Sequence, residues 1–204
     1  MALDTYANLS TALGSWNKRT YTSDQTDEAI LLAEANANRK LASDFRRRSS
    51  ATINTDASGI GSLPTGFVGL TSIVRNVSGS LPLKQVSWDA LIQRNPFAFT
   101  DDASAFAIKG TSFMVAPVTD DDFIALFSST VPALTSIATT NWLLTLAPDY
   151  YLFAGQAALA ARRKAYDEAA LLQGKADSIL SEIVSQGNVA EFGNAEMTLS
   201  MVTP

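Results

Sequence analysis

Along Thr139–Lys164, TTNWLLTLAPDYYLFAGQAALAARRK, apolar positions recur at three- and four-residue steps. That spacing predicts one long helix with Trp142, Leu143, Leu146, Tyr150, Phe153 and Ala157 on its buried side. Ala154, Ala157, Ala158 and Ala161 keep the second half of that face thin, so a neighbouring helix backbone is expected to lie close against it. A buried Trp142 would make its replacement by Ala cost about 3–5 kcal/mol. Upstream, Tyr6, Leu9, Leu13 and Trp16 predict a first helix over Thr5–Trp16. Thr22 and Gln25 have the spacing of a capping box, with Asp24, Asp27 and Glu28 at the positive end of a second helix. Its inner face is Ile30, Leu31, Ala33, Ala37 and Leu41. A last helix runs through Leu171, Leu172, Ile179, Leu180 and Ile183 to about Gln186, after a bend around Arg162–Tyr166. Beyond it the helical period is lost.

From Ser49 the pattern changes to short β-rich runs separated by Gly, Ser, Asn and Asp. Strands are expected near Ser50–Asn54, Val68–Val77, Leu81–Val86, Ala105–Lys109, Ser112–Ala116 and Asp122–Phe127, with turns at Lys109-Gly110-Thr111 and Val77–Ser80. Ser87 is placed to cap a helical turn, SWDALIQRN. The resulting fold class is α+β: a bundle of about four helices with an inserted small antiparallel β-region and an extended C-terminal tail. The expected division is residues 1–48 and 140–186 for the bundle, 49–139 for the insertion and 187–204 for the tail.

Composition narrows the chemistry. The 204 residues are 47% hydrophobic and 17% charged, as in a globular chain with a core of its own. The absence of cysteine removes disulfides, thiolate nucleophiles and thiolate metal sites. The absence of histidine removes Ser-His-Asp and Cys-His catalysis and the commonest zinc ligand. A net charge of −5 argues against a primary nucleic-acid clamp. MALDTYANLS lacks the basic and apolar regions of a signal peptide, and Pro148-Asp149 interrupts the longest apolar stretch. The expectation is a soluble protein that is not secreted and has no membrane partner.

Several apparent motifs have plainer readings. Ser15-Trp16-Asn17-Lys18 matches S-x-x-K, but the echoes of the companion motifs, Ser23-Asp24-Gln25 and Lys109-Gly110-Thr111, are wrong in sequence. Asp120-Asp121-Asp122 lacks the glycine and distal glutamate of a calcium loop and reads as a solvated turn before a strand, as does Asp101-Asp102. Gly59-Ile60-Gly61 is too short for a phosphate loop and reads as a turn. Arg46-Arg47-Arg48 suits phosphate or an acidic partner, but reads more simply as a solvated helix end that complements the dipole. Trp142, Tyr150 and Tyr151 could stack on a ligand, but aromatic residues at helical spacing serve more often as core. No catalytic, cofactor or metal site emerges, and the expectation is a protein that is not an enzyme.

Asn141-Trp142-Leu143-Leu144, Pro148-Asp149 and Tyr151-Leu152 resemble the hallmark of the tailed-bacteriophage head-to-tail adaptor family, also called head completion or neck proteins. Leu32-Ala33-Glu34 to Arg39-Lys40-Leu41 is similar to the family's second-helix signature, and Leu63-Pro64 to Phe67 to its approach to the strands. Pro132-Ala133-Leu134 fits as well. Asn36 and Asn38 depart from the pattern by making the second helix more polar, and the C-terminal tail has no match.

The resemblance implies a structural virion protein: a ring, commonly of twelve copies, beneath the portal, extending the DNA channel and providing the tail platform. Implied partners are the portal protein, neighbouring copies, tail or nozzle proteins and transiently passing genomic DNA. The implied location is the virion neck, after assembly in the host cytoplasm. Arg46, Arg47 and Arg48 are candidate contact residues, and Phe192, Met197, Leu199 and Met201 are candidate apolar anchors in the tail. Another neck or tail-completion component is the alternative, followed by a carboxylate-dependent glycan hydrolase.

Overall fold

A computed structural model describes residues 3–41, 47–93 and 103–192, with the backbone alone at 188 and 190–192. In chain order the elements are α1 (Tyr6–Trp16), α2 (Ser23–Lys40), β1 (Arg48–Asn54), β2 (Ile60–Ser62), β3 (Phe67–Arg75), β4 (Lys84–Gln85) and α3 (Trp88–Gln93), then β5 (Ala105–Lys109), β6 (Ser112–Ala116), β7 (Asp122–Ser129), α4 (Trp142–Leu146), α5 (Pro148–Arg162) and α6 (Tyr166–Phe192). The fold is α+β and divides into two compact units, Met1–Arg47 with Val131–Pro204, and Arg48–Thr130.

The helical unit is built around α5. Tyr150, Tyr151, Leu152, Ala154, Gln156, Ala157, Leu159 and Ala160 are all buried, so no single stripe describes it. A helix apolar on most sides belongs at the centre of a bundle, and α1, α2 and α6 pack around it. The small residues allow this. A Cβ at Gly155 would come within 2.8 Å of Leu13 Cδ2, so α1 rests where α5 has no side chain. Burial and helical spacing part at several positions: Trp16 and Leu31, expected inside, are 62% and 63% exposed.

The single long helix expected over Thr139–Lys164 is two helices. Ala147 leaves the helical region, with φ −141° and ψ 71°, because the ring of a following proline disfavours α geometry in the residue before it. Pro148 then starts α5 at a position where its missing N–H costs nothing. The break rotates α4 relative to the expected face. Leu143 and Leu144 are buried, Trp142 is only partly covered and Leu146 is exposed. The bend expected around Arg162–Tyr166 is present. Lys164 adopts φ 63°, and Ala165 N–H bonds the Ala160 carbonyl at 3.0 Å. Helix α6 continues to Phe192, past the expected limit at Gln186. Gly187 and Asn188 are poor helix formers, yet they do not stop it.

The β unit pairs a three-stranded sheet, β1-β7-β3, with a four-stranded one, β2-β6-β5-β4. Ile53, Ile73, Phe106, Phe113, Phe123 and Phe127 meet between them, with Phe113 and Phe123 edge to face at 6.1 Å. The outer face of β5 and β6 is also covered: Leu91 of α3 packs with Ala105, Ala107, Met114 and Ala116. Both strands therefore read as continuous apolar runs. Ser87 caps α3 as expected, accepting from Ala90 N–H at 3.2 Å. Gly110, at φ 62°, makes the tight β5–β6 turn. Two expectations differ from the structure. The strand expected over Leu81–Val86 pairs in pieces: Leu83 N–H bonds the Ile73 carbonyl at 2.9 Å, and Lys84 and Gln85 then pair in parallel with β5. The stretch read as a Gly59-Ile60-Gly61 turn contributes Ile60 and Gly61 to β2, with Gly59 at φ 69° forming the turn before it.

Three glycine substitutions separate packing from propensity. At Gly61 a Cβ would sit 2.2 Å from Phe113 and 2.8 Å from the Asn54 carbonyl oxygen, so Gly61→Ala is expected to destabilise by about 1–3 kcal/mol or more. Gly155→Ala should cost less, because the flexible end of Leu13 can shift. Gly174 lies within α6 with nothing within 4 Å, so Gly174→Ala should stabilise by about 0.5–1 kcal/mol. Urea denaturation of the three variants checks the order. In the same assay Trp142→Ala should fall short of the roughly 3–5 kcal/mol of a fully buried tryptophan, because its side chain is only partly covered.

Candidate functional site

The segment 131–141, between β7 and α4, has no regular structure of its own. Its backbone polar groups need partners, and side chains of α2 supply them. Glu34 and Asn38 stand one helical turn apart on the same face of α2. Asn38 Oδ1 accepts from Val131 N–H at 2.8 Å, and Glu34 Oε1 accepts from Leu134 N–H at 2.7 Å. Asn141 secures the far end. Its Oδ1 caps α4 by accepting from Leu144 N–H at 2.8 Å, while its Nδ2 donates to the Pro132 carbonyl at 2.7 Å and to Tyr151 Oη at 2.8 Å. Tyr151 in turn donates to Glu34 Oε1 at 3.5 Å. Val131 and Leu134 are thereby seated in the helical core.

Between these anchors Thr135 closes a turn. Its N–H bonds the Ala138 carbonyl at 2.9 Å, and its Oγ1 accepts from Ile137 N–H at 3.2 Å and Ala138 N–H at 2.9 Å. Tyr6 N–H bonds the Thr139 carbonyl at 2.7 Å. At the tip Ile137 is 94% exposed. The segment is a fastened loop that presents one β-branched apolar side chain to solvent.

The electrostatics follow from burial. Glu34 is 4% exposed; burial pushes its pKa up, opposed by the hydrogen bonds from Leu134 N–H and Tyr151, and the net shift is upward. Burial raises the Tyr150 phenol to about 12 and Tyr151 further still. Tyr150 donates to the Ala33 carbonyl at 2.6 Å. Across the bundle, burial acts to raise Asp177, but Lys40, 2.6 Å away, and hydrogen bonds from Gln173 and Asn36 outweigh it and lower the pKa. The shifted groups of this unit thus serve its packing, and Asn36 and Asn38, the polar departures in α2, both have structural uses.

The residues singled out from sequence do not gather into one place. Arg46, Met197, Leu199 and Met201 lie outside the described residues, and Phe192 is the last residue of α6. Arg47 is no solvated helix end: it is 1% exposed, and its Nη1 donates at 2.9 Å to the Asn38 carbonyl in the last turn of α2. Arg48 is exposed at the start of β1. Trp142, Tyr150 and Tyr151 make no common stacking surface, since both tyrosines are fully buried. Asp121 turns to Arg75 at 2.7 Å and to Thr119, and among the described residues no group of three or more acidic side chains is placed to hold a metal. No described helix is long and apolar enough to cross a membrane. Ile137, Glu34 and Asn141 were missed as a set. Isolated polar residues near an apolar run carry no period, although Asn141 just before Trp142-Leu143-Leu144 is a readable N-cap.

Glu34 yields a pH-dependent prediction. A carboxyl whose folded pKa is raised favours folding fully below its unfolded value, about 4.3, and that contribution is lost as pH rises through the folded value. Glu34→Gln keeps an acceptor for Leu134 N–H and removes the charge. Its stability relative to wild type should therefore improve as pH rises from about 4 to 8. Glu34→Ala, which leaves that N–H unpaired, should cost about 1–3 kcal/mol. Denaturation curves of both variants at several pH values are the check.

No individual curated protein matches the chain. A match described as SU10 adaptor protein spans residues 4–197, nearly the whole sequence. The chain therefore belongs to the SU10 adaptor protein family, a family of bacteriophage adaptors.

Proposed function

We propose that this adaptor acts as a head-to-tail ring component beneath the portal, about twelve copies continuing the DNA channel and carrying the tail. The observation that supports it best is the fastened 131–141 loop. It is rigid at both ends and exposes Ile137 almost fully, which is how a docking side chain is held ready with little further ordering on binding. The function is then docking, without turnover, and the acidic surplus of the chain suits a wall past which DNA slides without sticking. In this reading Phe192, Met197, Leu199 and Met201 anchor the C-terminal residues to the portal or to a neighbouring copy, and Arg46 and Arg48 serve as polar contacts.

Two variants test the docking surfaces separately. Ile137→Asp, at a position with no packing to lose, should leave thermal unfolding within about 0.5 kcal/mol of wild type while abolishing co-sedimentation with the portal or ring formation. Truncation after Phe192 should weaken portal binding without altering the helical fold seen by circular dichroism. Co-assembly unchanged in both variants would rule out these contacts. A complex with a tail-tube end, and none with the portal, would favour the tail-completion alternative.

A further inference from the structure

Strand β1 forms one edge of the three-stranded sheet, with β7 on one side and, among the described residues, no strand on the other. The hydrogen-bonding parity of the pair fixes which groups face outward. Thr55 N–H bonds the Asp121 carbonyl at 3.0 Å, whereas the carbonyl of Asp122, opposite Asn54, accepts from Asn76 N–H at 2.8 Å. Backbone groups of an antiparallel ladder alternate in direction from one residue to the next. Ser49, Ala51 and Ile53 therefore address β7, and the N–H and carbonyl groups of Ser50 and Thr52 point away from it. Both of these residues are exposed. We infer that this edge takes a further strand, residues 196–203 of a second copy. The inference rests on the ring assembly proposed above and supplies one contact between its copies.

A long exposed edge normally carries a lysine, a proline or a bulge that discourages pairing. In β1, RSSATIN, the register with β7 is unbroken and the one charge, Arg48, stands at the first position. The other described edges differ. The register of β3 shifts twice against β7, and its far side is occupied by Leu83 N–H, bonded to the Ile73 carbonyl at 2.9 Å, and by the Val74–Pro82 bridge. Strands β2 and β4 are three and two residues long. The inner row of β1 also leaves room beside it. Ile53 is buried, but Ala51 is half-buried and Ser49 exposed, while Phe123, Ala125 and Phe127 opposite them are all buried. The edge thus offers both backbone partners and an uncovered continuation of the apolar face.

The sequence after α6 has the matching pattern. In residues 196–203, EMTLSMVT, Met197, Leu199 and Met201 alternate with Thr198 and Ser200, the period of a strand with one apolar face. The stretch carries one charge, Glu196, and no glycine or proline, and it is long enough to span the seven residues of β1. Paired on β1, it sets Met197, Leu199 and Met201 beside Ala51 and Ile53, and Thr198 and Ser200 beside Ser50 and Thr52. Main-chain bonds then supply affinity, and the alternating side chains set the register. The donor is a second copy because a contact between the C-terminal residues of one chain and the sheet edge of the next is heterologous. Each chain gives one strand and receives one, which is the kind of contact that closes into a ring.

The chain has no cysteine, so single cysteines in the full-length protein report the pairing. An isotope-labelled Ser50→Cys chain mixed with an unlabelled Thr198→Cys or Ser200→Cys chain under mild oxidation should give a disulfide-linked heterodimer, identified by its mass. Thr71→Cys, exposed on β3, should give none with either. Amide exchange is the second measurement. In the assembled protein the Ser50 and Thr52 amides should exchange at least about tenfold more slowly than in Leu199→Asp, while the Ala51 amide, turned toward β7, stays slow in both. Rings that form with the Ser50 and Thr52 amides unprotected and without the heterodimer would overturn the strand pairing and leave the ring reading standing. A chain that forms no oligomer, alone or with the portal, would overturn both. Linkage only when Ser50→Cys and Ser200→Cys share one chain would overturn the assignment to a second copy. Protection that Leu199→Asp leaves intact would also overturn the proposal and give the edge to a strand of another partner.

Discussion

One buried carboxylate orders the helical unit. Glu34 reaches from α2 to the backbone of a segment a hundred residues away and accepts a hydrogen bond from the Leu134 N–H. Desolvating a carboxylate is costly unless its charge is met by donors. Here the donors are that backbone amide and the Tyr151 hydroxyl, itself positioned by Asn141. The arrangement is reciprocal. Without α2 the Val131 and Leu134 amides would lose their acceptors, and without the segment Glu34 would keep only the longer contact with the Tyr151 hydroxyl.

The rest of the unit follows from where this network places the chain. Asn141 sets the start of α4, Pro148 the break before α5, and α5 then runs through the centre of the bundle with Leu13 against Gly155 on one side and α6 on another. On α2, Glu34 and Asn38 face the 131–141 segment, while Asn36 bonds Asp177 of α6 and Lys40 forms an ion pair with the same carboxylate. A single helix thus joins a loop on one side to a helix on the other, using polar residues for both. That is why a bundle built on tyrosines and alanines tolerates so many polar groups on α2.

Much of the fold was legible in the sequence because it rests on local rules. The Thr22–Gln25 capping box, the Ser87 cap, the Gly110 turn and five of the strands are read from neighbours a few residues apart. The errors share a cause. Helical spacing placed Trp16, Leu31 and Leu146 inside, but burial depends on which other element arrives, and no described element covers them. Proline at 148 was visible, yet its effect is to end one helix and begin another, which periodicity alone does not distinguish from a continuous run. The candidate site was the least legible part. Nothing in the spacing of Glu34, Asn38, Leu134, Asn141 and Tyr151 announces that they meet, because the loop between β7 and α4 brings them together only in three dimensions. What the sequence did carry was the order of short motifs resembling head-to-tail adaptors, and the family match over residues 4–197 accords with that order.

The central claim is that the 131–141 segment is held as firmly as a helix by side chains of α2 and by Asn141. Native-state amide hydrogen exchange reports it directly, residue by residue. The account predicts that the Val131 and Leu134 amides, bonded to Asn38 and Glu34, exchange as slowly as the Ala147 amide bonded within α4. Exchange of Val131 and Leu134 at the rate of an unprotected surface loop would contradict it.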